Sequence, residues 1–249
     1  MKDSREALSA RRVGRERRRL LHQRGSRAAD PTTSTTEPLQ LNSVAEGVTN
    51  LGPGPATLLW TQGCHVGCRG CMSVDTWNPF AGVRAQPSDV ATWLLTKKSR
   101  FLTISGGEPT EQAPALNALL DHLDEQWVVT MYSGHDLEAL RAADRPGVTE
   151  LLGRIDVLIA GPYIQERHAR LLWRASDNQV IHDLTLRAPI AEDLSAGISV
   201  RITGGGLEII GVPPEPGFID ALRSKAADGG SRLGISRQPR TFPFPTLEP

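Results

Sequence analysis

The sequence predicts an α/β fold built on a parallel sheet, and three observations carry that expectation. Four short apolar runs each end in a glycine-bearing loop, helical stripes separate them, and the two signals alternate along the middle of the chain. The first run, Ala56 to Trp60, ends at a loop holding cysteines. The second, Phe101 to Ile104, ends at Ser105-Gly106-Gly107, and the third, Trp127 to Met131, ends at Tyr132-Ser133-Gly134. Val157 to Ala160 ends at Gly161-Pro162. Between the runs, Ser88 is read as an N-cap with Val90, Trp93 and Leu94 on one helical face. Leu116, Leu119, Leu120 and Leu123 follow at i, i+3, i+4 and i+7. Leu137, Leu140, Leu151 and Leu152 suggest a third helix, interrupted near Pro146-Gly147. Such stripes pack a core and carry no function. Either an open barrel or a doubly wound sheet satisfies the alternation, and in both the ligands gather at the carboxyl ends of the strands. Ile198 to Thr203 and Leu207 to Ile210, around Gly204-Gly-Gly206, read as a hairpin closing or flanking the sheet. Phe218 to Lys225 reads as a short helix before a loose, proline-rich end.

The chain has 249 residues and no net charge, but its charge is uneven. Met1 to Asp30 holds ten Lys and Arg against four acidic residues, a net of +6, which leaves −6 for the rest. That tail is read as a solvated extension, with contact to nucleic acid or an acidic partner possible only through it. Pro31 to Pro38 has linker composition, so order is expected from about Leu39. The division expected is 1–38 as basic tail and linker, 39–212 as the core domain and 213–249 as a C-terminal extension. No apolar run approaches the roughly 18 residues of a membrane span, and no apolar segment follows the basic start. A soluble, cytoplasmic protein with no membrane partner is expected, in a compartment that keeps thiols reduced.

Only three cysteines occur, and all lie in one loop: Cys64, Cys68 and Cys71 within Gly63-Cys-His-Val-Gly-Cys-Arg-Gly-Cys-Met72. A disulfide would leave one thiol over and close a loop of very few residues, and a structural zinc site wants four ligands. Three thiolates suit an iron–sulfur cubane with one iron left open to an external ligand. Zinc with His65 or a distant histidine as fourth ligand, and inert or redox cysteines, remain alternatives at this point. The six histidines show no metal-ligand spacing, and neither a nucleophile elbow nor a Walker loop occurs, so hydrolase and nucleotide-triphosphatase readings are poor.

The CxxxCxxC spacing resembles the radical S-adenosylmethionine (radical SAM) superfamily. Within it the segment is most similar to the activating proteins of anaerobic ribonucleotide reductase, a 4Fe-4S single cluster family. Gly63, Gly70, Thr76 and Trp77 fall where those activators carry Gly-Cys, Cys-x-Gly-Cys and Thr-Trp. Ser105-Gly-Gly-Glu-Pro109 resembles the superfamily's Gly-Gly-Glu motif, Asp156 to Tyr163 an Asp-Val-Leu-x-x-Gly-Pro segment, and Trp173 to Gln179 an Arg-Gly-Ser-x-Asn-Gln segment. Met72 stands where the activators usually have an aromatic residue, and the two tails are not typical of them.

The resemblance implies a partial, open β/α barrel of the radical SAM type. It implies a 4Fe-4S cluster held by Cys64, Cys68 and Cys71, and S-adenosylmethionine bound near Met72, Gly106, Gly107, Glu108, Ser133 and Gly134. Glu108 would accept from the methionine ammonium, and Met72 could pack on the adenine. No catalytic side chain beyond cluster and cofactor is expected. Cleaving the sulfonium with one electron would yield a 5'-deoxyadenosyl radical, so the chain is expected to be an oxidoreductase that activates a glycyl radical enzyme. A flavodoxin or ferredoxin type of electron donor would be a second partner. Two alternatives are kept: a radical SAM enzyme acting on a peptide, nucleotide or small metabolite, and a zinc-bearing interaction module without turnover.

Overall fold

In a computed structural model of the chain, the described residues are 37–190, 197–203, 206–228 and 242–247. The basic tail and the Gly204-Gly205 turn lie outside them. The first described element is β1 at Leu39–Val48, followed by β2 at Ala56–Thr61 and the short β3 at Val83–Ala85. Three β–α units follow: α1 (Pro87–Leu95) into β4 (Phe101–Gly106), α2 (Ala113–Asp121) into β5 (Val128–Ser133), and α3 (Leu137–Ala142) with α4 (Val148–Leu152) into β6 (Val157–Ala160). The interrupted third helix is therefore two helices, split by Pro146-Gly147 as proline and glycine require.

One seven-stranded sheet has the order β3-β1-β2-β4-β5-β6-β9, with β9 at Val180–Asp183. β2, β4, β5 and β6 are mutually parallel, while β1, β3 and β9 pair antiparallel at the margins. The parallel strands stand in chain order with no reversal, which a doubly wound sheet would need. Period-two alternation divides their side chains between two faces. Leu59, Leu102, Ile104, Val129, Met131, Leu158 and Ala160 pack with all four helices in one core cluster. Leu58, Trp60, Val157 and Ile159 fall in two smaller clusters on the opposite face, without residues of α1 to α4.

That second face is covered by hairpins. β7 (His168–Leu171) and β8 (Arg174–Ser176) form one, and β10 (Ile198–Thr203) with β11 (Gly206–Gly211) forms another, each a separate two-stranded sheet. The expected hairpin thus flanks the main sheet and does not extend it. Ile210 packs with Ala45, Val48, Ala56, Leu58 and Trp60, and Asn50 Nδ2 donates to the carbonyls of Gly197 and Ile210 at 2.9 and 2.8 Å. Helix α5 (Phe218–Asp228) follows.

Two local expectations are corrected. Ser88 is not the N-cap of α1: Gln86 occupies that place with extended backbone, and Pro87, whose ring pre-sets the helical φ, is the first helical residue. Nor is the end of the chain loose at 242–247. Phe244 is buried with its ring 5.4 Å from that of Trp93, and the Leu247 N–H donates to the Arg84 carbonyl at 2.7 Å.

Candidate metal centre and adjoining cavity

The register brings the functional loops to one edge. Thr61 pairs with Gly106, Ile104 with Met131 and Ser133 with Ala160, so the carboxyl ends of β2, β4, β5 and β6 are level. The cysteine loop leaves β2 at this edge and is gripped by backbone hydrogen bonds. Gly63 N donates to the Thr76 carbonyl at 2.7 Å, Cys64 N to that of Trp77 at 3.2 Å, and the Gly63 carbonyl accepts from Glu108 N at 2.9 Å. Thr76-Trp77 therefore braces the loop from one side and Gly107-Glu108 from the other. A Cβ at Gly107 would collide with the Gly63 carbonyl, so this glycine lets two backbones touch. Gly70 has φ of 72°, and a side chain there would strike Gln165 in the loop after β6. Buried Gln62 completes the brace, donating from Nε2 to the carbonyls of Asp75 and Asn78 at 3.0 and 2.8 Å.

All three cysteines are free thiols of intermediate burial. Burial pushes the Cys64 thiol up, opposed by N–H donation from Gly67 and Val66, with Glu108 and Glu111 adding to the rise. Burial likewise raises Cys68, opposed by the Tyr163 N–H, while Cys71 and Glu108 raise it further. Cys68 and Cys71 thus feel each other, Cys64 and Cys68 share Glu108 as a neighbour, and Ser73 N donates to the Cys71 sulfur at 3.4 Å. Backbone N–H groups aimed at sulfur stabilise thiolate charge and tune a bound cluster. Among the described residues no three His, Cys, Asp or Glu side chains converge tightly enough to share one metal ion. A cubane takes each thiolate on a different iron, and three cysteines of one loop with backbone N–H groups at their sulfurs are such a donor set. The donor set fits the cluster.

His65 and Arg69 between the cysteines are exposed, as loop charges are expected to be. The His65 ring and backbone N–H both meet Glu111, at 2.9 and 3.0 Å, and Arg69 pairs with Glu166 at 3.2 Å. Surface pairs of this kind contribute about 0–1 kcal/mol. Glu111 adds something the sequence reading missed, a hold on the cysteine loop from the segment after Glu-Pro.

Glu108, Ser133 and Gly134 are brought together, and their arrangement is more structural than anticipated. Glu108 is 1% exposed. Its Oε1 accepts from Thr110 N at 3.1 Å, Thr110 Oγ1 at 2.6 Å and Ser133 Oγ at 3.0 Å, and its Oε2 accepts from Gly134 N at 2.8 Å. The carboxylate fastens the end of β4 to the end of β5 beneath the cysteine loop. Gly134 in turn packs against the Val66 side chain. Gln179 is also a clamp: Oε1 accepts from Ala175 N and Ser176 N at 2.9 and 3.2 Å, and Nε2 donates to the Gly161 carbonyl at 3.1 Å. Asn178 donates to the Pro162 carbonyl at 2.7 Å.

Met72 does not join that cluster. It lies on a cavity of about 180 Å³ over the face of the sheet opposite α1 to α4, bordered by Trp60, Asp75, Ser105, Tyr132 and Trp173, with Ile209 to Val212 and Ile219 also on its lining. Tyr132 went unnoticed because Tyr-Ser-Gly reads as turn chemistry. Alternation from Val129 and Met131 could have placed it on this face. Burial raises its phenol, which keeps the proton, and the buried hydroxyl has no hydrogen-bond partner among the described residues.

A cysteine-rich loop at the carboxyl edge of a parallel sheet, with donors directed at sulfur, defines an iron–sulfur protein of the α/β class. The chain belongs to the 4Fe-4S single cluster domain family, whose model matches residues 50–182, more than half of its length and all three cysteines. It is 35% identical over 150 residues to the anaerobic ribonucleoside-triphosphate reductase-activating protein of Vibrio cholerae, covering 54% of this chain and 92% of that one. The Escherichia coli protein of the same description is 29% identical, over 53% of this chain and 91% of its own. The pyruvate formate-lyase-activating enzyme of Staphylococcus aureus is 37% identical over 36% of this chain and 39% of its own. The solved structure of QueE from Escherichia coli overlaps 39% of this chain and 53% of its own at 21% identity and a TM-score of 0.33, too partial a match to bear on the fold. The cofactors implied by the resemblance, a 4Fe-4S cluster and S-adenosylmethionine, are those of this family. Among the described residues no helix is long and apolar enough to cross a membrane.

Proposed function

We propose that the protein is a radical SAM activating enzyme that takes a hydrogen atom from a glycine of a glycyl radical enzyme, anaerobic ribonucleotide reductase in the first instance. The observation that carries this reading is the bracing of CxxxCxxC between Thr76-Trp77 and Gly107-Glu108, in a chain whose relatives are named for that activation. Cys64, Cys68 and Cys71 would hold the cluster. Bound together, the cluster and S-adenosylmethionine supply one-electron cleavage of the sulfonium and the 5'-deoxyadenosyl radical that abstracts the hydrogen atom.

The chain's own residues align the reactants and exclude water. Gly134 N takes one of the two lone pairs on Glu108 Oε2, and we assign the second to the ammonium of S-adenosylmethionine. Ser133 and Gly134 fix that carboxylate, while Gly106 and Gly107 keep the backbone close to the cysteine loop. Met72 offers its thioether to the adenine from the cavity side. The ordered β2-β4-β5-β6 run, with α1 to α4 on one face, supports a partial barrel in which 39–212 is the catalytic core. An electron donor of the flavodoxin or ferredoxin type completes the system.

The test is anaerobic mixing of reconstituted protein with reductant, S-adenosylmethionine and a candidate reductase. A glycyl radical by electron paramagnetic resonance is expected. Cofactor cleavage without that signal for any glycyl radical enzyme tried would reject the substrate class.

A further inference from the structure

A second cavity adjoins the cysteine loop on another flank. It is an open groove of about 890 Å³ with His65 and Val66, both inside the CxxxCxxC run, on its lining, and it shares no bordering residue with the cavity that holds Met72. A protein seated here would stand against the loop of cysteines without covering the Met72 side. The charged groups on the groove are Arg84, Arg145, Glu37 and Glu111, with His65 and His135 beside them. Glu111 is taken up by the His65 ring and N–H, whereas Arg84 and Arg145 have no ion-pair partner among the described residues. Two guanidinium groups against two carboxylates leave the groove itself balanced. The surplus comes from the chain that joins it: Glu37, on the lip, follows Asp30 by seven residues, a stretch that spans at most about 25 Å, and residues 1–30 carry the net +6. An apolar group stands nearby. A Cβ at Gly63 would lie 3.4 Å from the Pro79 Cβ and 4.0 Å from Glu111 Oε2, so the Pro79-Phe80 turn and Glu111 flank the same glycine. Phe80 is 94% exposed, so its ring contributes nothing to the core.

We propose that this face docks an acidic one-electron carrier protein, with Phe80 as the apolar anchor and Arg84, Arg145 and the basic segment 1–30 as the charged contacts. The proposal rests on the radical SAM reading above and names the face at which its electron enters. In the docked pair one electron leaves the reduced carrier and reduces the cluster; no bond forms or breaks and no proton moves. Three observations select such a carrier. Its electron has to arrive at the sulfurs, transfer slows steeply with distance, and the groove is walled by residues that lie between Cys64 and Cys68. The net +6 attracts an acidic surface and steers its encounter, which suits a partner that docks, delivers and leaves at every turnover. Aromatic and arginine side chains are the types that anchor a protein interface, and Phe80, Arg84 and Arg145 are not engaged in ion pairs or core packing. A nucleic acid would use the same charge but has no need of a position beside the cluster. Segment 1–30 lies outside the 50–182 family match, so this part of the recognition belongs to this chain.

The test uses the full-length, cluster-loaded protein. The probes are a purified bacterial flavodoxin and a purified bacterial ferredoxin, with binding followed by isothermal titration calorimetry at low and at high salt. Deoxyadenosine formation is then timed with the reduced carrier and with photoreduced 5-deazaflavin, a small reductant that needs no docking face. The wild type should bind at least one carrier, tightly at low salt and weakly at high salt. The combined variant Arg17→Glu, Arg18→Glu, Arg19→Glu, which takes segment 1–30 from +6 to zero, should weaken that binding about tenfold at low salt and little at high salt. Phe80→Ala should weaken it about tenfold at either. Both variants should raise KM for the reduced carrier and keep the wild-type rate with deazaflavin, because neither touches cluster or cofactor. Unchanged carrier affinity in both variants, no binding of either carrier by the wild type, or an equal loss of the deazaflavin-driven rate would overturn the proposal. So would a loss of affinity for a duplex oligonucleotide, or for a candidate reductase, with carrier affinity intact, since the face would then belong to that partner. Carrier binding that falls in the variants, with no deoxyadenosine from the wild type under either reductant, would reject the radical SAM reading and leave the docking face standing.

Discussion

Two buried carboxylates, one at each end of the parallel strands, show what separates the working edge from the supporting one. Asp156, fully buried before β6, accepts from Val129 N at 2.8 Å and Thr185 Oγ1 at 2.6 Å and faces Arg187 at 3.4 Å. Arg187 continues to the carbonyls of Glu125 and Trp127, so this carboxylate is tied into a network that stays at the amino-terminal edge. Glu108 at the carboxyl edge is almost as buried, but its donors come from loops that also hold the cysteine loop. Close by, the Tyr132 hydroxyl is left unmet. Both acids sit in motifs that resemble the activators. Both carboxylates are joints, and what separates them is that the joint made by Glu108 is shared with the cysteine loop.

The largest way to sharpen this contrast is at the cysteines. Replacing any one of Cys64, Cys68 or Cys71 by Ser should remove the cluster and with it all deoxyadenosine formation, read by iron and sulfide content and by product chromatography. Unaltered cluster content in all three variants would mean the carboxyl edge is not the metal site. Next comes Asp156→Ala, which leaves the buried Val129 N–H unmet and takes one partner from Arg187, and should cost about 1–3 kcal/mol in urea unfolding. Its S-adenosylmethionine affinity should remain that of the wild type where it is folded; a selective loss of cofactor binding would erase the distinction between the two ends.

Glu108→Gln keeps the volume but loses the charge on its hydrogen bonds, so about 1.5–3 kcal/mol of stability should go. Here cofactor affinity should fall as well, by equilibrium dialysis, and a purely structural Glu108 would leave it untouched once the variant is folded. The smallest effect belongs to the β10–β11 hairpin. Burial raises the Glu208 carboxyl above its ordinary 4.5, with Arg201 opposing at 3.9 Å. A raised folded value means the native state holds the proton more tightly, so this group's contribution to stability is greatest below the unfolded value and is lost as pH rises through the folded one. Hydrogen exchange of the β10–β11 amides should accordingly show more opening at pH 7 than at pH 4 beyond intrinsic exchange, a difference that Glu208→Gln removes.

The strands ending in glycine loops were legible because each apolar run is short and its loop is punctuated by residues with few other uses. β1 was not, because two irregularities in its pairing with β2, between Leu41 and Ser43 and between Ala45 and Val48, disturb the alternation that would betray it. β9 escaped for a different reason: Val180 to Asp183 is half-exposed at an edge, where no apolar face is required. Ser88 misled as a cap because Pro87 before it supplied a conformational preference that a side-chain hydrogen bond would otherwise provide. Among the site residues, the cysteines declared themselves by number and spacing. Glu111 did not, since an acidic residue after a proline has no pattern until His65 is beside it.

By itself the sequence determined the strand–helix alternation and the edge at which the motifs meet, and it supplies the cysteine set proposed for the cluster, because ligand chemistry and hydrophobic period are written in residue type and spacing. Tertiary structure alone decided which polar groups are spent on holding the loops. Hydrogen bonding between distant segments is a matter of position, so Gln179 proves to be a clamp and Glu108 a joint between two strand ends though neither spacing nor composition shows it.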